Sequence, residues 1–286
     1  MARGLQGSTR LQCGRVGGQH TEAVKPEESG GSCSMPTMAS VSLAGQVAVL
    51  VGAGRGIGRA IAGAYAEAGA SVVCAARSEA EIEAAAEEIR ARGGRALAVA
   101  TDVRERNSVE TLFEAAEAEW GGVDIALLCA GTAGERLPVS EDSPEDWEQT
   151  LQVNLLGAYY CARAAIPHLK RRGGGKIIAV GSGIGHRGLP GYSAYAASKA
   201  GLWMLMRVLA QELREHAIAV NELVPGPVRT RLSDGAEPPR TQAGGDAFAG
   251  EWHKQPADVC ELALFLAGLP NHGPTAQSFS LAGREL

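Results

Sequence analysis

Tyr195 and Lys199 stand four residues apart in Tyr195-Ala-Ala-Ser-Lys199, within a stretch of helical periodicity. Side chains at that spacing share a helix face, so a phenol and an ammonium become neighbours. A free tyrosine ionises near ~10, too high for easy proton release near neutrality. A nearby ammonium stabilises the phenolate and lowers that value. The pair could then give a proton to an oxygen that gains negative charge, as a carbonyl oxygen does when it accepts a hydride. Ser182, at the end of an apolar run, could hydrogen-bond the same oxygen. Each residue alone has a plainer reading. Tyr-x-x-x-Lys is a common surface pair, Ser182 a strand-end serine, and Asn154 a helix side chain bonding locally.

A second group points to a phosphate-bearing ligand. Gly52-Ala-Gly-Arg-Gly-Ile-Gly58 follows an apolar run and opens a helical stretch. Glycines there allow a tight turn and a close backbone approach, and the helix N-terminus offers free N–H groups and positive dipole. Ile57 stands where G-x-G-x-x-G needs its third glycine, so the spacing is G-x-x-x-G-x-G through Gly52, Gly56 and Gly58. The next strand ends Cys74-Ala-Ala-Arg77, with no acid at its tip. An acid there would accept from the ribose 2′-hydroxyl of NAD. Arg77, helped by Arg55 in the glycine loop, suits a 2′-phosphate and predicts NADP(H) over NAD(H).

These residues need a frame that gathers them. Apolar runs at 47–51, 71–75, 96–100, 125–130, 176–180, 218–224 and 277–281 read as strands. Helical stretches at 57–68, 79–92, 108–120, 144–172, 194–216 and 256–267 alternate with them, with Ser143 as N-cap and Pro144 at the first helical position. Short apolar strands between amphipathic helices imply a mostly parallel seven-stranded sheet covered on both faces. Such doubly wound α/β folds bind ligands beyond the carboxyl ends of the strands. The acid-rich helix at 79–88, with Arg90 and Arg92, reads as a charged outer face. Between 202 and 206 the helix at 194–216 is apolar on every side, which predicts burial against the sheet on one face and a second subunit on the other.

The order of these motifs resembles the short-chain dehydrogenase/reductase family, in particular its 3-oxoacyl-carrier-protein reductase-like members. The resemblance runs from about Leu43 to the C-terminus. It includes Gly52-x-x-x-Gly56-x-Gly58, Asp102-Val103, Ala130-Gly131, Asn154-Leu-Leu-Gly157, Ser182, Tyr195-x-x-x-Lys199 and Pro225-Gly226. Val51 replaces the family's usual threonine, and Leu128 and Cys129 replace two asparagines before Ala130-Gly131. The resemblance implies a single Rossmann-type NAD(P)-binding catalytic domain over 41–286. It implies Ser182, Tyr195, Lys199 and Asn154 as catalytic residues, with Asn154 holding a water that relays protons to Lys199. Cofactor contacts would come from Gly52, Arg55, Gly56, Ile57, Gly58, Arg77, Asp102, Val103, Ala130, Gly131, Asn154, Tyr195, Lys199, Pro225, Gly226, Val228 and Thr230. The expected activity interconverts a ketone, aldehyde or 3-oxoacyl group and an alcohol with NADP(H), in a homodimer or homotetramer. A catalytically silent NADP(H) sensor or scaffold is the alternative. The intact Ser182, Tyr195 and Lys199 argue against it.

Composition excludes other classes. The chain has 286 residues, 45% hydrophobic and 21% charged, with a net charge of −5. That balance suits a globular protein and gives no basic surface for nucleic acid or anionic membranes. No apolar stretch approaches the ~20 residues of a membrane span. The six cysteines are scattered, which predicts free thiols in a reducing compartment such as the cytoplasm. Cys74 and Cys129 lie in apolar runs and read as small buried hydrophobes. His168, His186 and His216 lack metal-ligand spacing and are expected to be solvated. Gly181-Ser182-Gly183 is not a hydrolase elbow, because Val180 and Ile184 stand where glycines are needed. Residues 1–40 have no helical or strand period and read as a disordered extension. Arg3, Arg10 and Arg15 before the first acid, Glu22, suggest a mitochondrial leader as a secondary possibility. Met35 or Met38 as the true start is a third.

Overall fold

The computed structural model describes residues 41–233, 248, 250–283 and 286. The expectations for residues 1–40 lie outside the described residues.

Seven strands alternate with helices. They are β1 (Val47–Val51), β2 (Ser71–Ala76), β3 (Arg95–Ala100), β4 (Ile125–Leu128), β5 (Gly175–Val180), β6 (Ile218–Val224) and β7 (Ser278–Ser280). The intervening helices are α1 (Gly56–Glu67), α2 (Glu79–Ala91), α3 (Arg106–Trp120), α4 (Pro144–Leu151), α5 (Gly157–Arg171), α6 (Gly183–Arg187), α7 (Ser193–Glu212) and α8 (Cys260–Gly268). The sheet runs β3-β2-β1-β4-β5-β6-β7, and every pairing is parallel. The chain builds outward from β1 to β3, then returns past β1 to β4. The carboxyl ends of β1 and β4 therefore flank the switch point where such sheets open a crevice.

The burial of β1 explains its apolar run, since all five residues are at most 3% exposed. Val49 and Val51 face a core completed by α3, α5 and α7, while Ala48 and Leu50 face one completed by α1, α2 and α8. A strand buried on both faces cannot alternate with polar residues.

Caps set several helix starts. Ser143 Oγ accepts from the Asp146 N–H at 3.2 Å, with Pro144 in the first turn, as its sequence predicts. Ser78 Oγ accepts from the Glu81 N–H at 3.4 Å at the start of α2.

The helix expected over 144–172 is continuous but not uniform. A wide π-type turn, Gln152–Leu156, separates α4 from α5. Gly157 follows it and is pressed against Val103, where a Cβ would lie 2.7 Å from Val103 Cγ2. Helical periodicity does not reveal that contact. Further along the chain, α7 ends at Glu212 rather than His216, and the last turn before β6 is a short 3₁₀ segment, Arg214–His216. The short α6 is an element that the apolar pattern does not signal.

The histidines correct an expectation. His168 is buried, with Nδ1 2.8 Å from Glu117 Oε2. His186 Nε2 lies 3.0 Å from Glu222 Oε2, and its ring packs on Trp203 with centroids 4.9 Å apart. Neither is solvated, because His168 packs against Phe113 and Glu117 of α3, and His186 against Trp203 of α7 and Glu222 of β6. His216 pairs locally with Glu215 at 3.5 Å. Cys74, Cys129, Cys161 and Cys260 are free, and burial pushes the Cys74 and Cys161 thiols up to about 12.

Candidate active site

The crevice beyond β1, β4, β5 and β6 encloses about 1140 Å³ and runs from Arg77 to Tyr192. That volume exceeds most single small-molecule sites and leaves room for a dinucleotide together with a small substrate.

The glycine loop forms one wall. Gly52 adopts φ +94, and a Cβ on it would lie 2.6 Å from the Ala130 nitrogen. A Cβ on Gly58 would meet the Gly52 carbonyl oxygen at 2.1 Å. Only glycine lets β1, β4 and the first turn of α1 close on one another. These contacts expose the α1 N-terminus to the crevice, where free N–H groups and helix dipole favour a phosphate. The residues therefore fit a pyrophosphate-linked cofactor.

Most sequence-predicted contacts converge here. Gly52, Arg55, Gly56, Ile57, Arg77, Asp102, Val103, Ala130, Gly131, Pro225, Gly226, Val228 and Thr230 all line the crevice, as do Ser182, Tyr195 and Lys199. Gly58 and Asn154 do not line it and lie behind its wall. Asp102 is held by Arg104, whose Nε is 3.0 Å from Oδ1. That guanidinium keeps the Asp102 carboxyl below the usual carboxylate range.

At the other end, α7 presents Tyr195 and Lys199 together. Lys199 Nζ lies 5.8 Å from the Tyr195 ring centroid and donates to the Val180 carbonyl at 2.8 Å. That carbonyl ends β5, so the bond ties the ammonium to the strand that Ser182 follows two residues further on. Ser182 caps α6, with Oγ accepting from the Ile184 N–H at 3.2 Å. An ammonium has three donors. One is used in this bond, which leaves two for other acceptors in the crevice.

Asn154 projects from the wide turn and is 1% exposed. Its Oδ1 accepts from the Thr132 N–H at 2.8 Å, and its Nδ2 donates to the Thr132 carbonyl at 2.9 Å and to Ser198 Oγ at 3.0 Å. Ser198 in turn donates to the Tyr195 carbonyl at 2.8 Å. Asn154 thus pins the loop following β4 to α7. A Cβ on Gly131 would lie 3.3 Å from Asn154 Oδ1 and 3.8 Å from Lys199 Nζ, so the three residues are neighbours.

The sequence reasoning missed several lining residues. Tyr192 stands edge-on to Tyr195 at 6.4 Å, Arg136 stacks over Tyr192 at 5.4 Å, and Arg136 Nη2 donates to the Leu232 carbonyl at 3.0 Å. No local signal in the chain announces them, because they come from different loops. Glu81 and Arg231 also line the crevice. Their contact crosses 150 positions.

A parallel sheet with a glycine-loop crevice, ending in a Tyr-Lys pair, defines an NAD(P)-binding oxidoreductase of Rossmann type. The short chain dehydrogenase family model matches residues 46–240. The chain is 37% identical over 256 residues to a short-chain type dehydrogenase/reductase of Picea abies, covering 85% of this chain and 93% of that one. It is 37% identical over 254 residues to an NADPH-dependent aldehyde reductase-like protein, chloroplastic, of Arabidopsis thaliana, covering 82% and 93%. A solved short-chain type dehydrogenase/reductase from Mycobacterium marinum superposes with a TM-score of 0.76 at 31% identity, covering 85% and 96%. This chain belongs to the short-chain dehydrogenase/reductase family, whose members bind NAD(P)(H), and it is an enzyme acting on CH–OH groups with NAD(P). Among the described residues no helix is long and apolar enough to cross a membrane.

Proposed function

We propose that the protein is an NADP(H)-dependent reductase or dehydrogenase that interconverts a ketone or aldehyde, 3-oxoacyl groups included, and the corresponding alcohol. The observation that carries this reading is the placement of Lys199 beside Tyr195 at one end of a crevice whose other end is ringed by Arg55 and Arg77.

The nicotinamide, when bound, supplies or accepts the hydride. The protein's own groups manage the charge and the proton. Tyr195 gives its phenolic proton to the carbonyl oxygen in reduction and takes it back in oxidation. Lys199 stabilises the phenolate that results, and its unused donors suit the ribose hydroxyls. Ser182 donates to the same oxygen and holds it within reach of Tyr195. Asn154 keeps the floor of the site in register by joining Thr132 to α7, and a water between Asn154 and Lys199 would return the proton from solvent.

Arg77 follows β2 directly and is exposed, so its guanidinium is open to the 2′-phosphate of NADP(H). The Arabidopsis relative is called NADPH-dependent, which supports the same choice. The protein also forms a homodimer or homotetramer in this reading. Met204 and Val208 of α7 are 50% and 43% exposed, and Tyr159 of α5 is 41% exposed. The free thiols support a reducing compartment, which we take to be the cytoplasm.

The cofactor ratio tests this reading. Wild type should show a higher kcat/KM with NADPH than with NADH. Arg77→Asp should lower that ratio about ten- to hundredfold, the worth of a charge-assisted hydrogen bond. Equal use of both cofactors by wild type, or an unchanged ratio in the variant, would remove Arg77 from the site.

A further inference from the structure

Helix α2 reads from its sequence as a charged outer face, and most of its charges are. Glu88 pairs with Arg59 at 3.0 Å and with Arg92 at 2.8 Å on the outside. Glu81 departs from that pattern. It lies over the glycine loop, and a Cβ on Gly54 would meet Glu81 Cβ at 3.1 Å and Oε2 at 3.2 Å. Ser78-x-x-Glu81 has capping-box spacing, in which the glutamate reaches back to the N-cap N–H. Instead, Oε1 accepts from Arg231 Nη1 at 2.9 Å and lies 3.7 Å from Arg55 Nη1. Three chain segments meet there: the glycine loop, the start of α2 and the loop beyond β6. All three line the crevice, and Arg77 stands beside them.

We propose that Glu81 is a selectivity-setting residue of the cofactor crevice, a built-in counter-anion for Arg55 and Arg231 whose place a cofactor 2′-phosphate takes. The inference rests on the NADP(H) reading above. Its physical basis is exchange. The side chains of Arg55 and Arg231 are 59% and 69% exposed and that of Glu81 is 30% exposed, so these ion pairs are weak and easily traded. A phosphate offers more charge and more acceptor oxygens than a carboxylate, and arginine matches it with a planar fork of donors. Of the other acids that line the crevice, Asp102 is already paired with Arg104 and Glu251 accepts from the Gly283 N–H at 3.0 Å, so neither is the partner of Arg55 or Arg231. Glu81 is thus the group that competes with the phosphate. It lowers the affinity for a 2′-phosphorylated ligand and does nothing for one with a bare 2′-hydroxyl. Arg231 adds to the phosphate site from the loop beyond β6, although it lies far from Arg55 and Arg77 in the chain.

Binding of adenosine 2′,5′-bisphosphate and of 5′-AMP, measured by titration calorimetry, separates the terms without turnover. Wild type should bind the bisphosphate more tightly than 5′-AMP. Glu81→Gln should bind the bisphosphate about two- to fivefold more tightly, the scale of an exposed charge pair, and 5′-AMP unchanged. Arg231→Ala should weaken the bisphosphate by a similar factor and leave 5′-AMP unchanged. If wild type shows no preference for the bisphosphate, the NADP(H) reading falls and this inference falls with it. If wild type prefers the bisphosphate but Glu81→Gln leaves its affinity unchanged, the inference alone is overturned. Weaker 5′-AMP binding by Glu81→Gln would also overturn it, because Glu81 would then be accepting from the 2′-hydroxyl.

Discussion

Tyr195→Phe removes one oxygen and leaves the ring that Lys199 and Tyr192 flank. If that oxygen carries the proton, kcat should fall about 100- to 10,000-fold, the usual worth of a positioned acid or base. The cofactor Kd should stay as it is. Lys199→Ala should damage both, since the ammonium serves the phenolate and the ribose in the same reading. Fluorescence titration of NADPH and steady-state rates separate the two variants. Substantial turnover in Tyr195→Phe would overturn the proposed proton donor. The pairing of Tyr195 and Lys199 was legible because a four-residue spacing on a helix is a local fact. The Lys199 bond to Val180 was not, because it joins α7 to the end of β5.

At the scale of elements, Asn154 ties a loop to a helix. Asn154→Ala would strip the half-buried Thr132 N–H and carbonyl of their partners, at a cost of at most about 1–3 kcal/mol for each group left unpaired. For a domain of this size each 1 kcal/mol lowers Tm by roughly 2–4 °C. A Tm loss of several degrees is therefore expected, read by thermal unfolding. Lost turnover with an unchanged Tm would show that Asn154 acts on the proton path and not as a strut. Helix 144–172 was visible as a periodic stretch, and its cap at Ser143 is a local signal. The wide turn that carries Asn154 was hidden, because helical periodicity does not report a widened turn or the tight contact of Gly157 with Val103 beside it.

Two predictions concern the whole molecule. Removing residues 1–40 should leave Tm and kcat unchanged, since that segment has no apolar period and precedes β1. Removing residues 1–45 should not be neutral. Leu43 is 0% exposed, and its N–H donates to the Ala68 carbonyl at 2.8 Å. Losing it should cost about 2–5 kcal/mol, the range for deleting a buried leucine side chain. A large loss in the shorter truncation would show that the extension packs on the domain. The second prediction concerns assembly. Met204→Asp with Val208→Asp places charge on an exposed apolar face of α7 and should shift the sedimentation coefficient toward a smaller species. An unchanged coefficient would exclude that face as the subunit contact.

The alternation of strands and helices, the glycine loop and the Tyr-x-x-x-Lys pair were determined by the sequence itself. Each rests on periodicity or on spacing within a few residues, and local sterics and hydrogen bonding act over that range. Tertiary structure decided which distant groups share a wall. It turned His186 inward against Glu222, where solvation was expected, because α6 packs on α7 and the His186 ring lies against Trp203. It swung Glu81 off the outer face of α2 and onto Arg231, 150 positions away. Charge type and helix phase say which side chains are polar. The carboxylate that answers each cation is set by the approach of separate segments at the strand ends, and that approach exists only once the sheet has closed.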